Sequence, residues 1–199
     1  MMLKILVLLT VGLLLSACQT NSIQPANNSG ANDGNVELTI EEACAKYKCR
    51  ENFRLYFKTE NQVVDETVPL FWPRVFDNSI SIMPGESFFV EADLIDNKLV
   101  NLKEVTEVIH PDKTISLSFT QRESSLGMTL LLKNPFENVA LKFNMDMIDF
   151  EGNPHRTSSC PALPKAAIYE SWPHVIPELI ISNPVVMSQD KLTTFRCEY

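Results

Sequence analysis

The chain carries few side chains that could do covalent or metal chemistry. Past residue 40 it holds four cysteines (Cys44, Cys49, Cys160, Cys197) and three histidines (His110, His155, His174). Each histidine touches a proline, in His110-Pro111, Pro154-His155 and Pro173-His174, which favours turns and strand ends. No H-E-x-x-H and no histidine pair at ligand spacing occurs, so a zinc hydrolase would need ligands from unrelated segments. A thiol–imidazole pair could use Cys160, but it would leave an odd number of other thiols. Asp146, Asp149 and Glu151 gather beside Gly152-Asn153, yet the EF-hand spacing is missing. Beyond residue 36 only Gly85, Gly127 and Gly152 are glycines. No phosphate-cradling glycine loop and no G-x-S-x-G elbow can be built from them. The expectation is no catalytic residues, no metal and no cofactor.

The cysteine that stands apart is Cys18. It closes the run Leu15-Ser16-Ala17-Cys18, after an apolar stretch from Ile5 to Leu15 and a short start carrying Lys4. That stretch is below the ~20 residues a spanning helix needs. It fits the ~7–15 of a signal-peptide core. Leu-Ser-Ala-Cys resembles the lipobox of bacterial lipoproteins. The resemblance implies that residues 1–17 are removed and that Cys18 carries a diacylglyceryl group on sulfur and an acyl chain on its amine. Three chains would hold the protein at a membrane far more firmly than the one chain that anchors marginally. Gln19, in place of aspartate, implies sorting to the outer membrane; the periplasmic face is the expected side for the domain.

With Cys18 set aside, the remaining four cysteines in an exported chain read as two disulfides. Three connectivities are open. Cys44–Cys49 with Cys160–Cys197 is favoured, provided that Cys49 lies beyond a helix end, since residues five apart in a regular helix cannot bridge. The rival is a four-thiolate zinc site, whose usual paired spacing fits these positions poorly.

The elements that position these residues follow from pattern. Residues 18–36 are rich in Asn, Ser and Gly without periodicity, and read as a disordered tether. Its r.m.s. reach is roughly 25 Å. Thr39, with Glu41, Glu42 and Lys46, signals a short helix. Strand alternation follows at 52–58, 79–83, 88–94, 99–105, 114–121, 127–133, 140–148, 166–171 and 178–187. It is clearest where Leu141, Phe143, Met145 and Met147 oppose Lys142, Asn144 and Asp146. Many short strands and little helix predict one mostly-β domain over 37–199, an antiparallel β-sandwich. In this layout it resembles immunoglobulin-like bacterial envelope domains.

Charge narrows the partners. The chain has 17 basic and 25 acidic side chains, net −8. Removing residues 1–17 takes away Lys4 and no acid, for a net −9. Such a surface disfavours nucleic acid. The expected contacts are the membrane, through Cys18, and another envelope protein, through an exposed strand edge. A glycan is the alternative. It would use Trp72, in Phe71-Trp72-Pro73, and Trp172 with His174, in the run Tyr169 to His174. Aromatic-proline turns can present a flat ring. Tryptophans that plug the ends of the sandwich are the more ordinary use of the same residues.

Overall fold

A computed structural model describes residues 38–188 and Cys197. The expected signal peptide (1–17), the lipidation site Cys18 and the tether (18–36) lie outside the described residues. Helix α1 spans Ile40–Lys46. Thr39 Oγ1 accepts the Glu42 N–H, and the Glu42 carboxylate accepts the Thr39 N–H, a capping box that satisfies two end donors. The helix stops before Cys49, which leaves that residue free to bridge Cys44.

Twelve strands follow among the described residues: β1 (Arg50–Lys58), β2 (Val63–Phe71), β3 (Val75–Phe76), β4 (Ser79–Ile82), β5 (Ser87–Ile95), β6 (Lys98–Val105), β7 (Thr114–Gln121), β8 (Met128–Lys133), β9 (Val139–Ile148), β10 (Pro154–Arg156), β11 (Ala167–Trp172) and β12 (Glu178–Ser188). Ten of them form two five-stranded antiparallel sheets, in the orders β10-β9-β12-β4-β3 and β11-β8-β7-β5-β6. Inward side chains of both sheets share one core. Ile80, Ile82, Leu141, Phe143, Met145, Leu179 and Ile181 come from the first, and Val90, Ile115, Leu117, Phe119, Leu130 and Leu132 from the second. This is the β-sandwich that the alternation predicts.

β1 and β2 stand apart as a two-stranded ribbon with its own pairing. Phe53, Leu55 and Phe57 are covered to varying degrees, while Arg54, Tyr56 and Lys58 face solvent. Strict alternation would turn Arg50 the same way as Arg54. Asn52 breaks it: its φ is 47°, and it lies across from Pro69, which has no N–H to give. Arg50 therefore points inward with the phenylalanines. At the far end Gln121 clasps the ribbon, giving and accepting one 2.8 Å bond with the Lys58 main chain.

Three strands escape the sequence pattern. β2 contains Asp65, Glu66 and Pro69, and only its pairing with β1 makes it a strand. β3 and β10 are two and three residues long, too short for any period to register.

β12 lies in the middle of its sheet, between β4 and β9. A one-residue register shift falls at Asn183-Pro184, where Asn183 has φ 48°. Beyond β12, Cys197 bridges Cys160, whose N–H is held by the buried Glu170 carboxylate at 2.6 Å. Both disulfides thus take the favoured connectivity. The second closes a loop that contains the sheet's central strand, so it restricts the unfolded chain where pairing is most non-local. The double substitution Cys160→Ser/Cys197→Ser should lower the unfolding free energy by about 2–4 kcal/mol. Urea denaturation followed by tryptophan fluorescence measures this, and an unchanged midpoint would contradict it.

Candidate functional site

The aromatic turns do not offer their rings. Trp72 is 8% exposed and Trp172 is 5% exposed. Trp72 meets Phe76 edge-on at 6.4 Å. Trp172 meets Phe119 edge-on at 6.1 Å, and its indole N–H donates to Thr157 Oγ1 at 2.6 Å. The reason is local: β11 alternates so that Ile168, Glu170 and Trp172 face inward, and Tyr169 faces out. His174 alone of the three expected residues is exposed, with Nδ1 3.2 Å from the Val175 carbonyl oxygen. A sugar-stacking surface of Trp72, Trp172 and His174 is therefore not formed.

The acidic cluster also separates. Asp146 pairs with Arg156 at 3.1 Å. Asp149 is the hub of the β9–β10 turn, 2.7 Å from His155 Nε2, and accepts the N–H groups of Glu151 and Asn153. The bonds from His155 and Asn153 hold its carboxyl well below the usual carboxylate range. Among the described residues, no three His, Cys, Asp or Glu side chains group as a metal site.

What the structure does assemble is a buried charge network around Arg50. Its guanidinium forks onto Glu86, Nε to Oε1 and Nη2 to Oε2, both at 2.8 Å. Nη1 donates to the Trp72 carbonyl, and Nη2 also reaches the Ser81 carbonyl and hydroxyl. Both side chains are essentially sealed, 0% and 3% exposed. Phe53 and Phe71 flank the cation at 5.8 and 5.6 Å. Gly85, at φ 85°, makes the tight turn that brings Glu86 back, so that its carboxylate also takes the Met83 N–H. Arg74 joins Glu86 to Glu104, and Lys48 meets Glu104 from outside. A polar groove of about 590 Å³ runs between α1 and the ribbon. Its cations are matched: Lys48 by Glu104, Arg54 by Asp65, Arg74 by two acids.

Farther along the ribbon lies an apolar cavity of about 180 Å³. Leu55, Phe57, Val64 and Phe71 of the ribbon face Met83, Ile148, Phe150 and Pro177 across it. Glu178 also lines it and is buried. The Ser81 hydroxyl bonds to the Glu178 carboxylate, while Arg50 bonds to the same hydroxyl. Burial pushes the Glu178 carboxyl up, and Glu86 adds to this, against the Ser81 bond and the Arg50 charge.

No family model, no curated protein and no solved structure matches this chain. The functional reading therefore rests on its own residues. Neither the network nor the cavity carries a sequence motif. One signal was available: Glu178 sits flush against Leu-Ile-Ile, at the head of a strand whose first four residues are buried on both faces.

Two outcomes follow from these charges. Arg50→Ala leaves the Glu86 carboxylate buried without its fork, and should cost about 3–5 kcal/mol in urea unfolding. A loss below 1 kcal/mol would refute the network's structural role. Glu178 is held above the ordinary value of 4.5 in the folded state. Above that value the unfolded chain has released its proton while the folded chain still binds it, so stability falls as pH rises through the folded pKa. The urea midpoint of Glu178→Gln should decline less over that interval than the wild-type midpoint. Parallel curves would be inconsistent with a raised carboxyl.

Proposed function

We propose that this chain is a membrane-anchored lipoprotein of the bacterial cell envelope that works by contact rather than by catalysis. The observation that carries this reading is Leu15-Ser16-Ala17-Cys18 with its apolar prelude. Two disulfides among the other four cysteines support it, because such bridges persist in oxidising compartments outside the cytoplasm. The reading assigns lipid to Cys18, a spacer to the polar segment after it, and the periplasmic face of an outer membrane as the address. The Cys160 bridge also withholds the one thiol that a cysteine nucleophile would use.

For contact with another envelope protein, the sheet edges differ in what they offer. β3 and β10 are short, and β6 carries Lys98 and Lys103. Short strands and lysines both blunt edge pairing. β11 has six residues with neither lysine nor proline, and among the described residues pairs on one side only, with β8. Tyr169, 71% exposed, stands out from it. A partner strand added here would gain main-chain bonds and a tyrosine contact. The glycan alternative has lost its platform with both indoles buried.

Metabolic palmitate labelling and fractionation test the anchor. The wild type should carry label and sediment with membranes, and Cys18→Ser should lose the label and the firm attachment. A labelled, membrane-bound Cys18→Ser would reject the lipobox reading. A photo-crosslinking residue at Tyr169 should trap one envelope protein in living cells, and Tyr169→Lys should weaken the interaction in co-purification from solubilised envelopes. Crosslinks found only at a distant exposed site such as Ile109 would place the contact elsewhere.

A further inference from the structure

The cavity under the ribbon has two features that packing alone does not call for. Its walls include three phenylalanines, Phe57, Phe71 and Phe150, and its lining includes one buried carboxyl, Glu178. Phe57 and Phe150 stand 5.9 Å apart in a tilted pair, and Phe150 is 54% exposed, so this ring forms the rim. Gln62, from the β1–β2 turn, also lines the cavity. The volume of about 180 Å³ is close to that of cavities that accept a benzene-sized guest.

The charges around it decide what kind of guest suits it. Arg50 is committed to Glu86 by its fork, and Arg74 bridges Glu86 and Glu104. Glu178 reaches Arg50 only through the Ser81 hydroxyl. Of the three acids of this network, Glu86, Glu104 and Glu178, it is the one without a direct ion pair among the described residues, and it lies beside an aromatic wall. An organic cation would meet the carboxylate directly and the negative faces of the rings with its charged head. Its hydrocarbon body would lie against Leu55, Val64 and Ile148.

We infer that this cavity is a binding site for a small organic ammonium with a compact apolar body, with Glu178 as counter-ion and the ribbon and Phe150 as its cover. The inference stands apart from the lipid anchor and from the β11 edge, so failure of either leaves it intact. A cation bound here keeps Glu178 ionised, so binding weakens as pH falls and the carboxyl takes a proton. The groups that face it are Arg50 from β1, Glu86 from the β4–β5 turn, Ser81 from β4, and Asp149 at the cavity edge, which stays ionised over the same range.

The full-length protein, titrated calorimetrically with benzylammonium and with benzyl alcohol, tests this. Benzylammonium should bind about tenfold or more tighter, the gain expected for one charge-assisted contact. Glu178→Gln should abolish that preference while retaining benzyl alcohol. Leu55→Trp, at a half-buried ribbon position, should fill the space and abolish both. Equal affinity for the two probes, no binding of either at millimolar concentration, or an unchanged preference in Glu178→Gln would each overturn the proposal. Should Glu178→Gln fail to fold, the wild-type preference at successive pH values replaces it. Indifference to pH between the ordinary glutamate range and neutrality would then count against the site.

Discussion

Burying the Arg50 charge is the constraint on which the rest of this structure turns. A guanidinium without water is tolerated only if its donors are used and its charge is met. Here that requirement recruits four segments at once: Glu86 after β4, the Ser81 carbonyl and hydroxyl within β4, the Trp72 carbonyl after β2, and β1 itself. A hydrophobic residue at position 50 could pack against the same sheet with looser demands. The fork onto Glu86 accepts a single geometry, so it fixes where the ribbon crosses the sandwich. Asn52 at positive φ is the local cost of turning that side chain inward.

The network in turn shapes both neighbouring spaces. On one side the helix is tied next to it by Cys44–Cys49 and by the Tyr47 hydroxyl on Asp77, with the Tyr47 ring tilted against Phe76. On the other side the ribbon is held above the sheet rather than against it. Phe57 and the Gln121 clasp pin its far end, Arg50 pins its near end, and the span between them leaves the cavity. A ribbon fixed at two points can bridge a gap that a freely packing hairpin would close, because interiors otherwise fill to crystal-like density.

Legibility from sequence follows the range of the interaction involved. α1 is local, and Thr39 with Glu42 announces it. Nine of the strands were readable because each carries its own alternation, as in Leu141, Phe143 and Met145. The Cys44–Cys49 bridge is short enough to infer once the helix end is placed. β2 was not readable, since Asp65, Glu66 and Pro69 hide the pattern and β1 supplies the reason for it. Trp72 and Trp172 sit in proline turns that look exposed, and become buried for reasons outside those turns: Trp172 faces inward in the β11 register, and an arginine takes the main-chain carbonyl of each, Arg50 at Trp72 and Arg122 at Trp172. The Arg50–Glu86 pair spans 36 residues and Ser81–Glu178 spans 97, with no spacing rule to join them.

The position of Glu178 explains why its carboxyl is tolerated at all. It opens β12, the central strand of its sheet, at a point where Leu179, Ile180 and Ile181 are all covered. Leu179 and Ile181 pair with both β4 and β9, so the strand cannot slide to bring its first residue to water without losing both ladders. An apolar residue there would relieve the burial cost. It would also remove the partner that orients the Ser81 hydroxyl, which itself accepts from Arg50. Glu178 thus completes the far end of the same hydrogen-bond chain that begins at Glu86, and the two acids bracket one arginine through unequal contacts. The direct contact at Glu86 serves the fold, and the relayed contact at Glu178 leaves a carboxyl with capacity for a further cation.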